Sequence, residues 1–398
     1  MIKIVTGLRR CGKSYLLFEL FREYLLSTGV KAENIIGIEL DRFSNAKYRE
    51  PAVLLDYLNS KLNENEKYYI MLDEIQMLKD FSAVLNELLH YRNVDVYVTG
   101  SNSKFLSTDI LTEFRGRGDQ IRIHPLSFSE FFSAFEGSKE DAWQEYFTYG
   151  GLPLLLTMKS DEQKIAYLND LFEMTYIKDI KDRNKIRYEA ELGELLDILA
   201  SSTGSLTNPQ KLSNTFKSKR NSGFAETTIT RYCSFLENAF IISKGSRYDV
   251  KGKKYISTPF KYYFEDVGLR NARLNFRQQE ENHIMENIIF NELRYRGFSV
   301  DVGVVEAREK TPDGKEVRKQ LEIDFVANSG SKRYYLQSAF NLATPEKDAQ
   351  ERRPFQKVND SFKKIILVRD NIKIRRDESG IVTMGILDFL LNPNSLEL

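Results

Sequence analysis

A short apolar run, Ile2–Val5, leads straight into Gly7-Leu8-Arg9-Arg10-Cys11-Gly12-Lys13-Ser14, and a helical pattern follows over Ser14–Ser27. Few sequence features restrict a fold as strongly. Two glycines at this spacing before Lys-Ser let successive backbone N–H groups turn inward around an anion, provided that a strand delivers the loop and a helix leaves it. The helix N-terminus adds its partial positive charge. The pattern predicts a phosphate-binding loop for ATP. Gly7, Leu8, Arg9, Arg10, Cys11 and Gly12 would supply backbone, Lys13 would reach the β- and γ-phosphates, and Ser14 would ligate Mg²⁺. Cys11 enters through its backbone alone, because nothing near it in sequence acts as a base.

The segments that follow fit such a loop. Ile35–Leu40, Tyr68–Leu72, Val94–Val98 and Gln120–His124 are short, bounded and apolar, and helical patterns such as Phe81–His90 lie between them. Strand–helix–strand spacing of this kind predicts right-handed crossovers and a parallel sheet with helices on both faces. One strand ends in Leu72-Asp73-Glu74, where Asp73 would hold Mg²⁺ and Glu74 would orient or deprotonate the attacking water. Another ends in Val98-Thr99-Gly100-Ser101-Asn102. Ligands of open α/β sheets lie beyond the carboxyl ends of the strands, so Thr99 and Asn102 are candidates to contact the γ-phosphate and its water. Ser101 or Ser103 capping a helix is the plainer reading there. Arg115 and Arg117 follow, and either could stabilise the transferring phosphate, in cis or from a neighbouring copy in a homo-oligomer. A solvated basic loop is the alternative.

GLRRCGKS (7–14), IMLDEIQ (70–76), VTGSNS (98–103), FRGR (114–117) and HPLSFSEFF (124–132) together resemble prokaryotic AAA+-type ATPases of uncharacterised function. The resemblance continues through YGGLP (149–153), RYDVKGKKYISTPFKYYFEDVGLRNA (247–272) and ENIIFNELRYRGFSVDVG (286–303), and so spans essentially the whole chain. It implies ATP binding and hydrolysis, a winged-helix module and a C-terminal α/β domain similar to PD-(D/E)xK restriction endonucleases. The expected division is an ATP-binding core over 1–135, a helical lid over 136–185, a winged helix over 186–265 and the nuclease-like domain over 266–398. Members of the group usually carry a leader before the first strand. Here the strand opens at Ile2, so the adenine pocket is expected to lack what that leader contributes.

Nucleases of this type need a helix carboxylate, an Asp on one strand and D/E-x-K on the next. The acids bind Mg²⁺ and the Lys activates water or steadies charge. Glu286 lies on a helical stretch and Asp324 on a strand, but the next strand reads Tyr335-Leu336-Gln337-Ser338-Ala339. Gln337 stands where an acid is needed and Ala339 where the lysine is needed. The expectation is a degenerate site of Glu286, Asp324 and Gln337, with the fold kept and the cleavage lost.

Composition narrows the partners. The whole chain carries 58 Lys plus Arg against 57 Asp plus Glu, which excludes a wholly basic nucleic-acid binder. Residues 205–261 nevertheless hold eleven basic residues against three acidic ones. In a helix-turn-helix reading, Lys217, Lys219, Arg220, Thr228 and Arg231 would face DNA, and Arg247, Lys251, Lys253 and Lys254 would form the wing. An acidic protein partner would suit the same charge. Phe235, Leu236, Phe240 and Ile241 have the spacing of a helix core rather than of base-stacking groups. Two cysteines exclude a disulfide scaffold. No apolar run reaches membrane-spanning length, and Met1–Thr6 reads as a strand, not a signal peptide. A cytoplasmic location follows as an expectation.

Overall fold

The computed structural model describes residues 1–100, 118–184, 186, 188–220, 224–277, 280–310 and 316–398. Two compact units emerge, one of Met1–Pro125 with Asn238–Phe240, the other of Leu126–Glu237 with Ile241–Leu398.

The first unit is built on β1 (Ile2–Gly7), β2 (Ile35–Glu39), β3 (Tyr68–Asp73), β4 (Val94–Thr99) and β5 (Gly118–Ile123), in the order β2-β3-β4-β1-β5. All pairs are parallel, and the strands fall where the apolar runs predict them. Period-two alternation sends side chains to two faces. Ile36, Ile38, Ile70, Leu72, Val96 and Val98 pack with Leu54, Leu58, Val84, Leu85 and Leu88 of the helices Pro51–Lys61 and Phe81–Leu88. Met71, Tyr69 and Tyr97 meet Leu17, Phe18, Phe21 and Leu25 of the helix over residues 13–27. That division fixes where the glycine loop can lie. β1 sits inside the sheet between β4 and β5, so the loop leaving it is flanked by the carboxyl ends of both neighbours.

The second unit holds an eight-stranded mixed sheet. Its strands are β6 (Ile242–Asp249), β7 (Lys254–Phe264), β8 (Ser299–Lys310), β9 (Glu316–Ser329), β10 (Lys332–Ala339), β11 (Lys363–Val368), β12 (Arg375–Arg376) and β13 (Val382–Gly385). The order is β12-β13-β11-β10-β9-β8-β6-β7. One face packs on the helices Phe128–Ser133, Lys139–Tyr149 and Glu281–Tyr295 through Phe128, Trp143, Ile289, Phe290, Phe325 and Leu336. The other face buries Val305, Ile323, Tyr335 and Ile366 against Phe355.

Two boundaries differ from expectation. The first unit closes at Pro125 and not at residue 135. Phe128 and Phe131 are buried in the second unit's core, and a capping box starts their helix, with Glu130 Oε2 accepting from the Ser127 N–H at 2.8 Å. The expected cut at 265/266 falls inside one sheet. The helices Glu189–Ser201, Pro209–Arg220 and Glu226–Asn238 do precede a hairpin. That hairpin is no free wing, because β6 pairs in parallel with β8 from Arg247↔Val302 to Asp249↔Val304. A β6 ladder paired on both edges is hydrogen-bonded into the sheet.

Candidate functional site

The loop after β1 takes the shape that its glycines allow. Gly7 has φ +146°, and a Cβ there would lie 2.0 Å from the Ile123 carbonyl oxygen, so the close approach of β5 demands glycine. Arg10 and Gly12 also adopt positive φ, at 67° and 97°. The helix begins at once, with the Leu16 N–H donating to Gly12 O at 2.8 Å. Leu8 and Cys11 are buried, so these two contribute backbone and packing. The Cys11 thiol contacts Ile123 O at 3.5 Å and is sealed from solvent.

Five predicted residues converge at the carboxyl ends of β1, β3 and β4. Lys13 is buried at 6% exposure, and its Nζ donates to the carbonyls of Gly7 at 3.1 Å and Leu8 at 2.9 Å. These partners are neutral, so a buried ammonium here gains from an anionic ligand. Ser14 Oγ donates to Asp73 Oδ2 at 2.8 Å. Thr99 Oγ1 donates to Asp73 Oδ1 and accepts the Glu74 N–H at 3.0 Å. Thr99 is therefore a bracket between the two acids. Glu74 has φ +51°, a left-handed conformation that costs a non-glycine residue energy. Its carboxylate accepts from Gln76 Nε2. Asn102, Arg115 and Arg117 lie outside the described residues.

Two participants, Glu39 and Asp41, escaped the sequence. The register of β2 on β3 pairs Glu39 with Asp73. Carboxylate oxygens of Glu39, Asp41 and Asp73 all lie within 4.8 Å of one another, the group among the described residues that could hold a metal ion. Only the lateral pairing reveals this, although an acid at the end of an apolar strand was a signal to examine. The donor set suits Mg²⁺-ATP. A hard cation takes oxygen ligands, which Ser14 and Asp73 present side by side, and the phosphates take the positive-φ loop and Lys13.

The second unit assembles another polar centre. Glu286 on the helix Glu281–Tyr295 and Asp324 on β9 do approach one another, and Gln337 on β10 adjoins them, its Oε1 3.4 Å from the Asp324 N–H. Ala339 is buried in the core. A lysine reaches this centre from β7. Lys261 Nζ lies 2.9 Å from Glu286 Oε1 and 2.7 Å from Glu322 Oε1. Tyr263 Oη donates to Glu286 Oε1 at 2.7 Å, and Asp324 Oδ2 accepts the Ser338 N–H at 2.7 Å. Burial, then the Glu286 charge, push the Asp324 carboxyl well above its usual range, against the pull of Lys261. Burial lowers the Lys261 ammonium, and the Glu286, Asp324 and Glu322 carboxylates more than reverse this, so it stays protonated. Sequence reasoning missed Lys261 and Glu322 because neither stands in the motif.

The basic segment is only partly a surface. Lys217, Arg231, Lys251, Lys253 and Lys254 are exposed and Thr228 is half-buried. Arg247 is a correction: it is buried at 7% exposure, and its Nη2 donates to Gln320 Oε1 at 2.9 Å. A strand flanked by β7 and β8 cannot present that residue as a wing tip. The side chains of Lys219 and Arg220 lie outside the described residues. Leu236, Phe240 and Ile241 are buried but Phe235 is only half-buried, and Phe240 and Ile241 lie beyond the helix end at Asn238, so helical spacing accounts for Leu236 alone. Among the described residues, no helix is long and apolar enough to cross a membrane.

Residues 1–132 match the family described as AAA domain, and residues 140–280 match a domain of unknown function (DUF8612). An uncharacterized protein of Haemophilus influenzae is 33% identical over 396 residues, covering 98% of this chain and 94% of that protein. An uncharacterized protein of Methanocaldococcus jannaschii, MJ1544, is 26% identical over 389 residues, covering 94% of this chain and 81% of that one. Among solved structures, the Orc1 protein of Aeropyrum pernix in complex with DNA is 13% identical, covering 69% of this chain and 86% of that chain. Its TM-score is 0.33, too low to equate the two arrangements.

Proposed function

Because this chain belongs to the same family as the uncharacterized Haemophilus influenzae protein and opens with an AAA domain, we propose that it binds Mg²⁺-ATP and hydrolyses it. The carrying observation is the convergence of Lys13, Ser14, Asp73, Thr99 and Glu74 at one end of a parallel sheet. Lys13 would neutralise the β- and γ-phosphates, Ser14 and Asp73 would hold the cation, and Glu74, set by Thr99, would take the proton of the attacking water. Arg115 or Arg117 would supply the remaining positive charge, in cis or from a second copy.

Nucleotide state would drive or gate the second unit, and DNA is the partner favoured by the exposed Lys217, Arg231, Lys251, Lys253 and Lys254. A second reading, a nucleotide-gated switch that engages an acidic protein, gains from the inward turn of Arg247 and Lys261, which removes two charges from the basic surface. Cleavage of DNA by the second unit is not part of either reading.

One experiment separates them. ATP hydrolysis is measured with and without duplex and single-stranded DNA for wild type, Lys13→Ala and Glu74→Gln. Lys13→Ala is expected to lose binding and turnover. Glu74→Gln is expected to bind ATP with kcat reduced about 10²- to 10⁴-fold, the range of a lost general base. Normal hydrolysis by Lys13→Ala would sink the ATPase reading. No stimulation by DNA and no binding at low salt would favour the protein-partner switch.

A further inference from the structure

We propose that Lys261 is a resident cation: its ammonium occupies the position among Glu286, Glu322 and Asp324 that a divalent metal would need, so this centre works without metal as an electrostatic joint. The proposal stands apart from the nucleotide reading and uses none of its residues.

Three observations carry it. The first is distance. An ammonium 2.9 Å from Glu286 Oε1 and 2.7 Å from Glu322 Oε1 makes charge-assisted hydrogen bonds to both carboxylates, through the same oxygens a cation would take. The second is enclosure. The Lys261 side chain is 4% exposed and that of Glu286 is 12% exposed, so neither can leave for water without abandoning a buried opposite charge. Phe260 and Tyr262, its neighbours on β7, are buried too, which fixes the stem from which the ammonium reaches inward. The third is that two of the carboxylate oxygens around the ammonium already hold other donors in fixed positions. Glu286 Oε1 also takes the Tyr263 hydroxyl at 2.7 Å, and Asp324 Oδ2 takes the Ser338 N–H at 2.7 Å.

The consequence is mechanical. Lys261 ties β7 to the helix Glu281–Tyr295 through Glu286 and to β9 through Glu322. The two strands, β7 and β9, flank β6 and β8 in the sheet, so one ammonium links its edge strand to its interior. Gly204 passes close to the same carboxylate. Its φ is +70°, and a Cβ there would sit 3.2 Å from the Glu286 oxygens.

The test counts Mn²⁺ ions bound to the nucleotide-free full chain by electron paramagnetic resonance. Wild type, Lys261→Met, Lys261→Met/Glu286→Gln and Glu286→Gln are compared, so any ion held by the first unit is common to all four. The expected result is one additional Mn²⁺ site in Lys261→Met that disappears in Lys261→Met/Glu286→Gln, with equal counts in wild type and Glu286→Gln. A wild-type Mn²⁺ site lost in Glu286→Gln would overturn the proposal, and so would a folded Lys261→Met that gains none. Should Lys261→Met fail to fold, the comparison of wild type with Glu286→Gln decides alone. Lys13→Ala hydrolysis assays report on the first unit and are independent of this count.

Discussion

Thr99→Val is the most informative perturbation of the nucleotide site. Valine keeps the shape and burial of a residue that has no exposed surface, and removes one oxygen. That oxygen donates to Asp73 Oδ1 and accepts the Glu74 N–H at 3.0 Å. A hydrogen bond to a charged group contributes about 1.5–3 kcal/mol, and an orphaned N–H costs about 1–3 kcal/mol. The two losses share one atom and do not add fully, so we predict about 2–4 kcal/mol lower stability of the first unit. Asp73 keeps its bond from Ser14 at 2.8 Å, so the residues proposed to hold the cation and the phosphates stay in place. Glu74 loses the anchor of its φ +51° backbone. The kcat should therefore fall about tenfold or more, equivalent to about 1.4 kcal/mol, while KM for ATP changes less. Urea unfolding and steady-state hydrolysis check both parts, and Thr99→Ser should restore them. Wild-type stability and kcat in Thr99→Val would refute the bracket, and a change in KM alone would refute the role given to Glu74.

Two further outcomes follow from the second unit. Burial lifts the Asp266 carboxyl from 3.8 to about 6, against the N–H groups of Gly151, Leu269 and Gly268. Between those two pH values the folded chain holds a proton that the unfolded chain has released, so stability falls as pH rises through the window, by about 3 kcal/mol at the limit. Urea midpoints of wild type relative to Asp266→Asn should decline from about pH 4 to about pH 7, and a flat difference would contradict this. For DNA binding, Lys253→Ala/Lys254→Ala should lower the slope of log affinity against log salt by about two, one for each phosphate contact. Arg247→Ala should leave that slope alone and lower the urea midpoint, because it strips a buried partner from Gln320. Equal slope changes in both would return Arg247 to the surface.

Legibility in the sequence followed the range of the interactions. Gly7, Gly12, Lys13 and Ser14 were readable because a strand, a tight turn and a helix start are local events, and Asp73 and Glu74 because an acid closing an apolar strand is a local pattern. The five strands of the first unit were readable for the same reason, each being a bounded apolar run. Glu39 was not, since its place beside Asp73 depends on which strand pairs with which. Charge counting also failed at two particular residues. Arg247 and Lys261 belong to the basic stretch in sequence, yet β6 and β7 turn both inward, onto Gln320 and onto Glu286 and Glu322. The segment around Phe128 and Phe131 was placed with the first unit because it follows its last strand, whereas its aromatic face found its partners in Trp143 and Tyr146.

What the sequence by itself determined is the glycine loop, the parallel sheet that presents it and the absence of a lysine at position 339. Backbone torsions and period-two burial act over a few residues, and composition records them directly. Tertiary structure alone decided that Thr99 joins Asp73 to Glu74, that the hairpin of β6 and β7 completes an eight-stranded sheet, and that Lys261 enters a centre built by Glu286, Glu322 and Asp324. Those outcomes rest on lateral register and on the burial of charge between segments distant in the chain, which no local pattern encodes.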